Sequence, residues 1–172
     1  MKTKVKPCFL LLLLSAVISL LPAAQLIEDW VKEGNANGTF KIENELYELE
    51  LAPGAGRLQV FSKAMQPGWD GMEASVSASF SGTAKIVLGC HYYTEGGKWM
   101  GQLLAPEQEI QAGEPVLNSF AFRLPSKGIV GIRPLINVKA GAVRFTDFRL
   151  ELPKVIEKNA GLEEAPCLTG WQ

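Results

Sequence analysis

The sequence has one histidine in 172 residues and three cysteines. A lone histidine, His91, excludes a three-histidine zinc site and any mechanism that needs a histidine pair within one chain. There is no G-x-S-x-G elbow, no G-x-G-x-x-G behind a strand pattern and no phosphate loop. The "GAG" of "APGAGRL" is too short for such a loop and reads as a turn. Acids are plentiful, yet none stands in a recognisable acid/base arrangement of the kind a glycosidase needs. The serines lie on an alternating stretch with no base beside them in sequence. A triad assembled in space from distant residues is the one catalytic arrangement left open. The chain is expected not to be an enzyme. Helical spacing is scarce too, and is visible only around "LIEDWVKE".

Basic residues cluster only at the start. "MKTKVKP" carries three lysines and no acid, "FLLLLLSAVISLL" follows as an uncharged apolar run, and "PAAQ" ends it with small residues. That order is the layout of a secretory signal peptide. The run is about 13 residues, against roughly 20 for a membrane-spanning helix, which favours a cleaved signal over an uncleaved anchor. Cleavage is expected near Ala24, giving a signal at residues 1–24 and a protein delivered to the periplasm or the extracellular space. Losing those residues leaves 14 basic against 18 acidic side chains, a net −4. An acidic chain without a basic patch has no electrostatic case for nucleic acid. Cys8 precedes the apolar run. Cys90 and Cys167 then remain: in an exported protein they could pair and tie the tail to the body. Otherwise Cys90 is a small buried hydrophobe and Cys167 a free tail thiol.

What recurs after residue 25 is period-two alternation between Gly- and Pro-rich breaks. "TFKIE" sets Phe40 and Ile42 against Lys41 and Glu43. "YELEL" sets Tyr47, Leu49 and Leu51 against Glu48 and Glu50. "MEASVSASF" sets Met72, Ala74, Val76, Ala78 and Phe80 against Glu73 and three serines. These are half-buried antiparallel strands. "AKIVLGCHYY", "NSFAFRL", "GIVGIRPLINV" and "AVRFTDFRLEL" add more, with "SGT", "EGGK", "PSKG" and "KAG" as turns. About eight short strands of this kind predict an all-β sandwich over residues 25–153. Residues 154–172 lose the alternation and read as a C-terminal tail, with Trp171 free to dock on the domain or serve a partner.

One strand changes parity midway. Val143 and Phe145 share a face, but Phe148, Leu150 and Leu152 share the opposite parity, so a β-bulge is expected at Thr146–Asp147. Asp147 is then either a solvated bulge residue or a ligand for a hard cation.

The stretches "ASVSASFSGTAKIVLGCHYYTEGGKWMG" and "NSFAFRLPSKGIVGIRPLINVKAGAVRFTDFRLELP" resemble a carbohydrate-binding module of the galactose-binding-like jelly-roll type, as attached to xylanases and other glycanases. The family's x-Tyr-x-x-x-Gly-x-Trp strand end matches Tyr93, Gly97 and Trp99. Its Phe-x-x-Pro matches Phe122 to Pro125, and its closing hydrophobic-Asp-hydrophobic-x-Leu strand matches Phe145 to Leu150. The resemblance covers roughly residues 26–153. It implies a jelly-roll β-sandwich that binds a polysaccharide or oligosaccharide without cutting it, serving a glycan-degrading enzyme that would be a separate partner. It also implies a structural calcium between the first and last strands, with Asp147 and either Glu28 or Asp29 as ligands.

Sugar sites stack the C–H face of a ring on an exposed aromatic and meet the hydroxyls with polar side chains at the rim. "HYYTEGGKWMG" holds three of the seven Trp and Tyr residues and the only histidine. In "AKIVLGCHYY" the even set, Ile86, Leu88, Cys90 and Tyr92, is core-like. Gly89, His91 and Tyr93 suit an open face, with Gly89 leaving room for a ligand at the backbone. Trp99 belongs either to that platform or to the core. Trp69 sits in a Pro- and Gly-rich loop, where rings often meet ligands. Arg133 and Asn137 alternate outward, as hydroxyl partners or as plain solvated residues. The candidate site is therefore Trp69, His91, Tyr93, Trp99, Arg133 and Asn137. The competing readings are an interaction protein of the same fold whose rings are core, and a hydrolase or lyase subunit with two carboxylates near the rings.

Overall fold

A computed structural model describes residues 23–33 and 37–153. Residues 1–22 of the expected 1–24 signal, the tail at 154–172, Cys8, Cys167 and Trp171 lie outside these residues, while Ala23 and Ala24 pair with Leu152 and Glu151. Eleven strands run in chain order: β1 (Ala23–Leu26), β2 (Trp30–Lys32), β3 (Gly38–Glu43), β4 (Leu46–Leu51), β5 (Leu58–Ser62), β6 (Gln66–Pro67), β7 (Glu73–Thr94), β8 (Lys98–Leu104), β9 (Gln108–Ile110), β10 (Val116–Arg123) and β11 (Ile129–Leu152). A 3₁₀ turn, Glu95–Gly97, joins β7 to β8. Among the described residues no helix is long and apolar enough to cross a membrane.

The count differs from eight for a physical reason. "EGGK" and "PSKG" do reverse the chain, but "SGT" and "KAG" do not. The chain passes through them, so β7 runs 22 residues and β11 runs 24. The two pair antiparallel along almost their whole length. Gly82 and Gly141 hold positive φ, 123° and 75°. A Cβ on Gly82 would press on the Ala142 carbonyl oxygen and one on Gly141 on the Thr83 carbonyl oxygen. Glycine lets the two backbones approach and turn here without a break in pairing.

Even-numbered residues of β7 from Ala74 to Tyr92 are buried except Gly82. One face of the ribbon is thus apolar on both sides of the glycines, and it must curl over on that face to bury itself. The first half of β7 pairs with β10 and with the end of β11, where β1 and β4–β3 continue the sheet. The second half pairs with β8, β9 and the start of β11, flanked by β5–β2 and β6. Their inner residues form one core, from Val76, Phe80, Phe145 and Leu150 to Leu58, Val60, Ile86, Leu88, Ile132 and Ile136. This is the all-β jelly-roll sandwich.

Two expectations need correction. "LIEDWVKE" is not helical: its Leu26 ends β1, a short link follows, and Trp30–Lys32 form β2. Trp30 drives this, burying its ring edge-on against Phe148 and Phe145 at 4.7 and 5.3 Å while Nε1 donates to the Ile27 carbonyl at 3.1 Å. Ile42, expected inward, is exposed on the edge strand β3, while Phe40 stacks on Tyr47. The bulge lies where parity placed it: pairing slips between Thr146 and Arg149, and Asp147 takes φ 52°. The extra residue lets both Phe145 and Phe148 point inward at Trp30.

Gly141→Ala is expected to lower stability by at least about 2 kcal/mol, from strained φ and the carbonyl contact. A denaturant midpoint of the variant close to that of the parent would contradict the crease.

Candidate functional site

The second half of β7 has an outer face as well as an inner one. Reading across the sheet, register fixes four rows. Gln59, Asn137 and Val87 share the first. Val31, Phe61, Leu135, Gly89 and Leu104 share the second. Arg133, His91 and Gln102 share the third, and Pro67, Gly131, Tyr93 and Trp99 the fourth. Five of the six candidates thus stand on one face: His91, Tyr93, Trp99, Arg133 and Asn137.

His91 is the hub. Its ring centroid lies 5.9 Å from Phe61, 6.4 Å from Tyr93 and 6.1 Å from Trp99. It meets Tyr93 and Trp99 edge-on, at 70° and 79°, so the rings do not form one coplanar shelf. The Gln59 amide donates to Nε2 at 3.3 Å. With that assignment Nδ1 carries the proton and faces the Tyr93 hydroxyl at 3.4 Å. Burial pushes the His91 pKa below 6.5, against a hydrogen bond with Gln102 and the charge of Glu33, and with the charges of Arg57 and Arg133. The imidazole is neutral at pH 7. Burial raises the Tyr93 phenol, with Arg133 acting the other way, so its hydroxyl keeps its proton.

Arg133 lies between two rings, its guanidinium carbon 5.8 Å from the Phe61 centroid and 5.5 Å from that of Tyr93. Asn137 is 1% exposed and Gln59 3%, although both stand on the outer side of the sheet. Neither amide atom of Asn137 has a hydrogen-bond partner, nor do Gln59 Oε1 and Arg133 Nε. Trp99 is 55% exposed. The face therefore combines an open indole, a half-buried phenol and buried polar atoms with unfilled hydrogen-bonding capacity.

Trp69 is not part of this cluster. It makes no ring contact with those aromatics and lies in the loop after Pro67, the residue that stands across β11 from Tyr93. Its loop is tied down by Asp70, whose carboxylate accepts from the backbone N–H groups of Lys127, Gly128 and Ile129 at 3.1, 3.0 and 2.7 Å. Those bonds hold the Asp70 carboxyl below its ordinary 3.8. Gly89 offers no open backbone, because the Leu104 and Leu135 side chains lie over it. Arg133 and Asn137 are not plain solvated residues either. Sequence reasoning missed Gln59, Phe61 and Gln102. Gln59 and Phe61 alternate with buried Leu58 and Val60 in "LQVFS", which was the signal available.

Glu28, Glu45 and Asp147 line a cleft of about 460 Å3 at the other end of the sandwich, while Asp29 lines a neighbouring one. The Glu28 carbonyl is taken by the Tyr47 hydroxyl at 2.5 Å. Among the described residues no three His, Cys, Asp or Glu side chains converge as a cation site. Glu28 and Asp147 thus share one cleft and Asp29 lies beside it, where a calcium would need backbone oxygens and water besides these carboxylates. Cys90 is in the core, its thiol pushed up to about 12 by burial; Cys167, its expected partner, is outside the described residues.

No family model matches the chain, and no curated protein does. Solved structures do match. The carbohydrate-binding and hydrolase modules of Clostridium thermocellum xylanase 10B, solved with xylohexaose, align at a TM-score of 0.58 with 17% identity over 79% of this chain. The fold is that of the jelly-roll carbohydrate-binding modules. The chain spans only 28% of that xylanase chain. It spans 98% of the CBM22-2 xylan-binding domain of Paenibacillus barcinonensis Xyn10C, which covers 76% of it at TM-score 0.54 and 10% identity. The active domain of tailspike protein 4 of bacteriophage CBA120 aligns at 0.53 with 12% identity over 73% of this chain and 20% of its own.

The depressed His91 pKa sets a pH dependence. Above 6.5 the imidazole is neutral folded and unfolded, so it adds no slope. Below 6.5 the unfolded chain takes up a proton that the folded site resists, so stability falls with pH until the folded value is passed. Melting temperatures between about pH 7.5 and 5 are expected to fall more steeply for the parent than for His91→Gln; parallel curves would contradict the buried neutral ring.

Proposed function

We propose that the protein is an exported, non-catalytic carbohydrate-binding module whose site is the outer face of the β8–β7–β11–β5 sheet. The observation that carries this reading is the set of buried polar atoms without partners, at Asn137, Gln59 and Arg133, beside the exposed indole of Trp99. An unfilled buried donor or acceptor costs about 1–3 kcal/mol. In the proposed complex the side chains that leave Asn137 and Gln59 only 1% and 3% exposed move aside, so that sugar hydroxyls meet the Asn137 amide, Gln59 Oε1 and Arg133. The C–H face of a sugar ring packs on Trp99 and Tyr93 in the same contact. His91 stays neutral and holds the Tyr93 hydroxyl in place. Likeness in fold to a xylan-binding domain supports the ligand class. The single carboxylate that His91 senses, Glu33, is bridged to Arg57 at 3.2 Å, which gives no carboxylate pair for glycoside cleavage. The basic-apolar-small N-terminus supports export, and a polysaccharide-degrading enzyme is the natural companion.

The test is tryptophan emission during titration with plant, algal and bacterial polysaccharides. Trp99→Ala is expected to weaken any binding at least tenfold, about 1.4 kcal/mol, with folding intact. Binding that survives Trp99→Ala and Tyr93→Ala would move the site elsewhere, and no binding to any glycan would end the reading. Asn137→Val is expected to raise the stability of the free protein, by about 1–3 kcal/mol, while abolishing binding. A chelator tests the calcium expected between Asp147 and Glu28 or Asp29: a drop in melting temperature would support it, and an unchanged value would contradict it.

A further inference from the structure

Resting on that reading, we infer that the sugar carries a carboxylate, and that Arg133 receives it. Arg133 is permanently cationic, yet among the described residues it has no acidic partner: the ion pairs are Arg57–Glu33, Lys85 with Glu107 and Glu109, and Arg144–Glu48. Glu33, the acid whose charge acts on His91, is already committed to Arg57. His91, opposite Arg133 in the same row, is held neutral, partly by Arg133 itself. The face thus keeps one uncompensated positive charge on a chain that is acidic once its expected signal is removed.

Geometry says what answers that charge. Phe61 and Tyr93 flank the guanidinium, and its Nε is buried without a partner. Cation–π contact with two rings orients the planar group but leaves its N–H donors unfilled. A planar carboxylate accepts two parallel N–H bonds from such a fork, and charge-assisted bonds are roughly twice as strong as neutral ones. A neutral sugar hydroxyl would leave the charge uncompensated in a half-buried site. The ligand class is therefore a uronic-acid-containing polysaccharide. Its carboxylate meets Arg133, a neighbouring ring face packs on Tyr93 or Trp99, and hydroxyls reach Asn137 and Gln59.

The experiment compares each acidic glycan with its masked counterpart: polygalacturonate with its fully methyl-esterified form, and glucuronoxylan with xylan lacking the acid. Isothermal titration of the full exported chain is expected to give at least about tenfold tighter binding to the free acids. That preference is expected to shrink as salt is raised, to vanish in Arg133→Gln, and to return in part in Arg133→Lys, which also guards against a misfolded variant. Equal binding to acid and ester, or an acid preference that survives in folded Arg133→Gln, overturns this inference and leaves the carbohydrate site standing. A preference for sulfated glycans over uronates overturns the carboxylate assignment. Failure of every glycan, acidic or neutral, overturns the underlying reading instead.

Discussion

The structure depends on one long ribbon, β7 paired with β11, bent at two glycines without losing its hydrogen bonds. Gly82 and Gly141 face the opposing backbone at contact distance, where no side chain fits. Because the ribbon is continuous, the same two strands build both sheets and wall both sides of the core. The short strands are fitted along its edges. Bulges then set which way individual side chains point. Slips near Lys139 and at Asp147 switch the inward parity of β11, so that Ile136 and Val138, then Val143 and Phe145, then Phe148 and Leu150 all reach the core. A strand of this length with one fixed parity would have put a third of those residues in water.

The same framework sets up the site. Burying Asn137, Gln59 and Arg133 Nε without partners works against folding, and a domain with only about 5–15 kcal/mol of net stability does not carry several such groups cheaply. A solvent-exposed sheet face normally needs no buried amides. Here they alternate, strand by strand, with Phe61, Tyr93 and Trp99, and His91 links the two kinds of group through Gln59 on one side and Tyr93 on the other. On the proposed reading the rings are held by a neutral imidazole, so ordering them would cost little on binding.

Much of this was legible in the sequence, because alternation survives wherever a strand has one wet face. "MEASVSASF" and "YELEL" gave their inward residues directly, and the parity change in "AVRFTDFRLEL" revealed its bulge. Tyr93 and His91 were separable from Tyr92 by parity alone. Trp99 was not, and the reason is a second bulge: Tyr92 pairs with Gly101 but Tyr93 pairs with Trp99, so Met100 is the extra residue. Gly101, at φ 152° beneath the Tyr92 ring, permits it and turns Trp99 outward. The glycines of "SGT" and "KAG" misled in the opposite direction, since turn chemistry and close strand crossing ask for the same residue. "LIEDWVKE" carries helical spacing in a segment too short to hold a helix, and Trp30 found its burial on the sandwich. Gln59 carried only a weak signal, its alternation with Leu58 and Val60, and its role appears once its strand is placed opposite Asn137.

Side-chain amide resonances report the central claim most directly. Nitrogen-15 spectra of the protein would be followed as a bound glycan is titrated in. The account predicts that the side-chain NH2 signals of Asn137 and Gln59 and the indole signal of Trp99 shift together and saturate at one dissociation constant, while the buried Trp30 indole stays still. Saturable shifts confined to another surface, with Asn137 and Gln59 unmoved, would contradict it.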